Sequence, residues 1–236
     1  MNAFWSIVKN DFRMVFPKKY IFPLTSMLIG GTIFGVLCSL LNFTQIKPEI
    51  HWVYTWILFA LPGFTTGIVM AEEREKTLGW WLSLPYPRHW LIAAKCIAML
   101  LRALQIILIL FLFTNFILYL FTWIRPEAYE NIAWGELFYY QLMIIGERLI
   151  YVPLIITLGL LAGLLTFSSM KLLNIPIWIF FGLFVSFIVL RHVSKVSRLD
   201  WDIVNIPLIW IGLFSFLISL LFYYWSISIL NRKLQI

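Results

Sequence analysis

Six stretches of this chain run without a single Asp, Glu, Lys or Arg: residues 20–46, 50–71, 103–124, 149–170, 172–190 and 203–230. Each reaches or exceeds the roughly 18 residues that a helix needs to cross a bilayer. With 62% hydrophobic and 12% charged residues and a mean hydropathy of +0.90, the chain has more apolar surface than a water-soluble domain can hide. The expectation is an all-α integral membrane protein of six transmembrane helices. It forms a single transmembrane domain over residues 1–236, with connections too short for a soluble domain.

The basic residues set the orientation. With the N-terminus in the cytoplasm, Lys9, Arg13, Lys18, Lys19, Arg74, Lys76, Arg88, Lys95, Arg102, Lys171, Arg232 and Lys233 fall inside. Lys47, Arg125, Arg148, Arg191, Lys195 and Arg198 fall outside, so the balance of twelve to six favours both termini in the cytoplasm of a multi-pass cell-membrane protein. The net charge of +7 is then mainly a topology signal, and no compact basic domain exists to bind nucleic acid. No cleavable signal peptide is evident: the first apolar run starts late and is too long. Cys38 and Cys96 fall near opposite ends of their spans, too far apart for an intrachain disulfide.

The densest charge in the sequence interrupts this pattern between the second and third spans. Residues 71–95 read AEEREKTLGWWLSLPYPRHWLIAAK. Polar residues packed this closely do not lie in hydrocarbon, so the segment stands outside the membrane. Leu78, Trp81 and Leu82 after the charged turn suit a short amphipathic helix stopped at Pro85. The alternative is a solvated loop with an interfacial helix.

Residues 1–19 read as an interfacial helix, with Phe4, Ile7, Val8, Phe12 and Val15 on one face and Ser6, Lys9, Asn10 and Arg13 on the other. Gly31 with Gly35, and Gly159 with Gly163, have GxxxG spacing, which lets a second backbone approach within the chain or between subunits. Pro62 predicts a kink or opening in the second span, while Trp52 and Tyr54 suit the aromatic belt at its outer end. Arg102 can snorkel to the headgroups. Residues 125–148 read as an interfacial helix or an extension of the fourth span, with Glu147 and Arg148 at the outer boundary. Residues 191–206 form an outer loop, with room for a short surface helix. Pro207 suits the first turn of the last span, with Asn205 as a possible cap.

The chain lacks the constellations that enzymes use. There is no GxxxxGK[ST], HExxH or GxSxG, and His51, His89 and His192 are scattered, so neither catalytic nor metal-ligating residues are expected. Glu72 and Glu73 do not complete the EExxxR pattern of paired-glutamate intramembrane proteases, because Thr77 occupies the arginine position. The spans carry no carboxylate for ion coupling, so energy for transport would come from elsewhere.

Glu73-Arg74-Glu75-Lys76-Thr77-Leu78, then Leu82-Ser83-Leu84-Pro85, then Arg88 and Lys95, resembles the motif after the second span of bacterial ABC-2-type transporter permeases. The usual form is E-R-E-x-G-T-L, a leucine pair, S-x-P, a basic residue and G-K. Lys76, Gly79, Trp81 and Ala94 depart from it. The resemblance implies the ABC-2, type V exporter-like fold with an N-terminal interfacial helix and a cytoplasmic coupling helix within residues 72–90. It implies that Glu73, Arg74, Glu75, Thr77, Leu78, Leu82 and Pro85 dock on a separate cytoplasmic ATPase subunit. That partner binds ATP and Mg, leaving this chain without a cofactor of its own. A second permease copy or a sister permease completes the pathway. The second and fifth spans of similar exporters line the path, which nominates Trp56, Phe59, Phe64, Trp178, Phe181 and Phe184. Walls so aromatic favour a hydrophobic or amphipathic substrate, such as a peptide antibiotic, a cytolytic peptide or a lipid-like molecule. The alternative is a regulatory or sensory subunit on the same scaffold.

Overall fold

The computed structural model describes residues 2–14, 30, 46–75, 86–124, 134–168, 170–197 and 207–233. Residues 20–29 and 31–45 of the expected first span, with Gly31, Gly35 and Cys38, residues Thr77 to Pro85, and Asn205 lie outside the described residues. Seven α-helices occur among the described residues: α1 (Asn2–Met14), α2 (Ile46–Arg74), α3 (Arg88–Ile124), α4 (Trp134–Leu149), α5 (Val152–Thr166), α6 (Asn174–Ser197) and α7 (Leu208–Lys233). A 3₁₀ turn at Lys171–Leu173 precedes α6, and no strand occurs among these residues. Four stretches are long and apolar enough to cross a membrane: Arg88–Phe116, Trp134–Thr166, Lys171–Ile188 and Leu208–Asn231. That pattern is compatible with a multi-pass membrane protein. α2 has 29 residues, a length of about 44 Å at the helical rise.

α5 is the axis of the bundle. Its sequence VPLIITLGLLAGLLT is apolar on every side, and a helix of that kind is stable where neighbours enclose it. α2 and α7 pack along it, with α3 and α6 making smaller contacts. In hydrocarbon such packing gains little from burial itself and depends on close backbone approach. Gly159 supplies that approach: its carbonyl accepts from Thr66 Oγ1 of α2 at 3.0 Å. A Cβ built on Gly159 would collide with Thr65 Oγ1 and stand 2.9 Å from the Pro62 carbonyl. At Gly163 it would stand 2.9 Å from Val69 Cβ. This GxxxG pair therefore serves packing within the chain. The pairing also sets α2 and α5 parallel, so Arg74 and Thr166 end at the same end of the bundle.

Several expectations shift by a turn or more. α2 continues through Pro62 to Arg74, and Thr65 Oγ1 donates to the Leu61 and Pro62 carbonyls at 3.1 and 3.0 Å. Tyr54, expected in the aromatic belt, is buried. The uncharged run at 103–124 is the later part of a longer helix: α3 begins at Arg88 and takes in Lys95 and Arg102, which find partners inside the protein. α4 is a helical run leading into α5 across a turn at Ile150 and Tyr151. The Ile150 carbonyl at this break accepts from Ser215 Oγ of α7 at 3.1 Å. Arg148, expected at the outer boundary of its span, is buried: it is 3% exposed and adjoins Tyr54, Leu58 and Ile107. α6 continues to Ser197, so the first part of the expected outer loop is helical. No glycine or proline lies between Leu183 and Ser197 to stop it. Pro207 stands at the start of α7, its carbonyl accepting from Trp210 N at 3.0 Å.

Candidate functional site

Four elements meet at the end of the bundle where α2 finishes. α1 lays Ile7 and Val8 against Leu91, Ala94 and Ala98 at the start of α3, with Phe4, Phe12 and Ile97 around them. The two alanines let α1 lie close. On the same face of α1, one turn after Ile7, stands Asp11. α2 delivers Glu72 in its last turn, and α3 delivers Lys95 two turns after Arg88.

These three side chains form a buried charge cluster. The Lys95 ammonium bonds to Glu72 Oε1 and lies 3.7 Å from Asp11 Oδ2. Asp11 is 2% exposed and Glu72 4%. Burial pushes the Asp11 carboxyl up from 3.8 to about 6. Lys95 pulls it back down, and the neighbouring Glu72 charge raises it further. Two acids around one base leave a formal charge of minus one in a buried site.

Further contacts bind the same end together. Arg102 donates to the Phe12 carbonyl at 2.9 Å and to Gln105 Oε1 at 2.6 Å, and its guanidinium lies 4.1 Å from the centroid of the Phe12 ring. It therefore ties α3 to α1. Arg88 Nη1 donates to Asn231 Oδ1 at 2.7 Å and to the Leu230 carbonyl at 3.2 Å, tying the start of α3 to the end of α7. Tyr223 OH donates to the His89 carbonyl at 2.9 Å.

The charge run of residues 72–75 is thus divided. Glu72 is buried in the cluster, Glu73 is half-buried, and Arg74 and Glu75 are exposed. Of the residues expected to dock on a partner, these last three are placed at one end of the bundle. Thr77, Leu78, Leu82 and Pro85 lie outside the described residues. Asp11 was not anticipated: its signal is an acid on the apolar face of α1, at a position where Lys95 offers the complementary charge in an otherwise apolar stretch.

The aromatic residues nominated as a path sit on two helices that both pack against α5. Phe64 of α2 is part-buried against the core, and the side chains of Trp56 and Phe59 lie outside the described residues. On α6, Phe184 packs edge-on to Tyr151 and stacks with Phe180 at 6.2 Å. Phe181 meets Trp178 edge-on at 5.8 Å, and Trp178 is 38% exposed. Among the described residues no cluster of His, Cys, Asp or Glu has metal-site geometry. Comparison with family models, curated proteins and solved structures finds no match.

Proposed function

We propose that this chain is the membrane subunit of an ATP-driven exporter that moves a hydrophobic or amphipathic substrate, with hydrolysis carried out by a separate cytoplasmic ATPase. The support is the motif of residues 73–95 together with the division of its charges. Arg74 and Glu75 are exposed at the end of α2, while Glu72 beside them is buried against Lys95 and Asp11. A partner that engages Arg74 and Glu75 would act on a segment already fastened to α1 and α3. Force applied there would reach three helices at once, because a packed, charge-linked junction moves as a unit.

In this reading the end carrying α1, Glu72 and Asn231 faces the cytoplasm. A second permease copy or a sister permease supplies the other half of the path, and Phe64, Trp178, Phe181 and Phe184 face the substrate with Trp56 and Phe59. The apolar character of these residues suits a peptide or lipid-like cargo better than a sugar polymer. The test is the double variant Glu73→Lys with Glu75→Lys, expressed with its genomic neighbours and purified in mild detergent. The expected result is an inserted permease that no longer co-purifies with a nucleotide-binding subunit. Unchanged association and unchanged export would overturn the proposal.

A further inference from the structure

A cleft of about 250 Å³ opens between α3, α5 and α7, apart from both the charge cluster and the aromatic residues of α2 and α6. Its floor is Ile156, Thr157 and Ser219, all buried, and its rim includes Ala93, Leu100 and Leu220. The floor hydroxyls are engaged. Thr157 Oγ1 donates to the Pro153 and Leu154 carbonyls at 3.0 Å and lies 3.4 Å from Ser219 Oγ. What the cleft presents is therefore an apolar wall, and its volume falls just below the roughly 300–1,000 Å³ of drug-sized sites.

The direction of the cleft identifies its occupant. It lies within the two apolar stretches Arg88–Phe116 and Leu208–Asn231. Leu104, one turn beyond Leu100, is 41% exposed, and Phe216, one turn before Ser219 and Leu220, is 56% exposed. Since α3 and α7 are antiparallel, both residues continue the furrow from the cleft toward the middle of the bundle. Beyond the opposite limit, where Tyr223 OH of the cleft donates to the His89 carbonyl, stand the exposed His89 and the part-exposed Arg88. Neither lines the cleft, and Arg88 Nη1 reaches along α7 to Asn231 Oδ1 and the Leu230 carbonyl, leaving its other N–H groups for a phosphate. A cation at the membrane end of an apolar furrow is complementary to a phosphate joined to a hydrocarbon chain.

We propose that this cleft holds one acyl chain of a membrane phospholipid whose phosphate lies against Arg88. The inference does not depend on the transport reading. The chain would fill space that water has no reason to occupy, since an apolar cavity stays dry. It would also wedge α3 and α7 at a fixed separation.

The test is native mass spectrometry of the full chain purified in mild detergent, with extraction and identification of bound lipid. The wild type should retain one phospholipid per chain. Ala93→Phe, which fills the rim, should lose the bound lipid from most chains, because the ring takes the space of the acyl chain. Arg88→Gln should weaken retention while leaving the apolar wall intact. Helical content and thermal unfolding report whether each variant folds, and Leu100→Trp fills the same cleft if Ala93→Phe does not fold. A wild-type protein without phospholipid overturns the proposal, a result that no folding defect can produce. Retention unchanged in folded Ala93→Phe and Leu100→Trp also overturns it, as does an apolar compound other than phospholipid in the wild type.

Discussion

The Lys95 ammonium stands 3.7 Å from the Asp11 carboxylate, so the N-terminal helix and α3 share one buried charge site that also takes in Glu72. Removing the central base strands two buried acids, which costs more than the pair contributes when intact. Lys95→Met should therefore destabilise the fold by about 3–5 kcal/mol, the range for breaking a buried pair by deleting one partner. Adding Glu72→Gln and Asp11→Asn to the same chain should recover most of that loss. Thermal unfolding in detergent reads the difference. A triple variant no more stable than Lys95→Met would show that the charges are not what holds this junction.

The same cluster gives the docking of α1 a pH dependence of definite sign. Asp11 is pushed up from 3.8 to about 6 when α1 is docked, first by burial and then by Glu72, against the pull of Lys95. The docked state therefore binds a proton more tightly than the released state. Its contribution is fully present below pH 3.8 and is lost as pH rises through about 6. The difference amounts to about 3 kcal/mol at neutral pH. Limited proteolysis of α1 should slow as pH falls from 7 to 5, and Asp11→Asn should abolish that trend. An equal pH trend in both proteins would refute the assignment.

How much of this was legible in the sequence depends on where charge was found. Uncharged runs placed the last two spans well: 172–190 against Lys171–Ile188, and 203–230 against Leu208–Asn231. The same rule found only residues 103–124 of α3, which begins at Arg88, because Lys95 and Arg102 ended the run. In lipid an isolated cation would be excluded, and these two are admitted by partners on α1 and α2 that are distant in sequence. The burial of Arg148 was not legible either, since proximity to Tyr54 and Ile107 is a tertiary fact. Asp11 escaped notice because one acid among Ile7, Val8 and Phe12 reads as a flaw in an amphipathic face until Lys95 is seen beneath it. The Gly159 and Gly163 spacing was legible as a close-approach surface, whereas its partner helix was not.

That surface supports a graded prediction. Gly159→Ala places a methyl group against Thr65 Oγ1 and 2.9 Å from the Pro62 carbonyl, where backbone cannot yield cheaply. Gly163→Ala meets the Val69 side chain at 2.9 to 3.3 Å, which can give a little. Overpacking of this kind costs about 1–3 kcal/mol, with Gly159→Ala at or above the upper limit and Gly163→Ala below it. Gly146→Ala is the control: nothing lies within 4 Å of its Cβ position, so helix propensity alone should stabilise α4 by up to about 1 kcal/mol. Equal unfolding temperatures for Gly159→Ala and Gly146→Ala would contradict the packing described between α2 and α5.

Arg102 tests whether α1 is held by geometry as well as charge. Its guanidinium donates to the Phe12 carbonyl and to Gln105 while its centre lies 4.1 Å from the Phe12 ring centroid. A lysine keeps the charge but has no planar group to lie over the ring while bonding in its own plane. Arg102→Lys should accordingly loosen α1 by about 1–2 kcal/mol, comparable with one charged hydrogen bond and an exposed cation–π contact. Phe12→Leu keeps the carbonyl and the apolar bulk and removes the ring alone, so it should cost less than Arg102→Lys. Hydrogen exchange along α1 measures both. If Arg102→Lys protects α1 as well as the wild type does, charge alone suffices and the stacked arrangement contributes nothing.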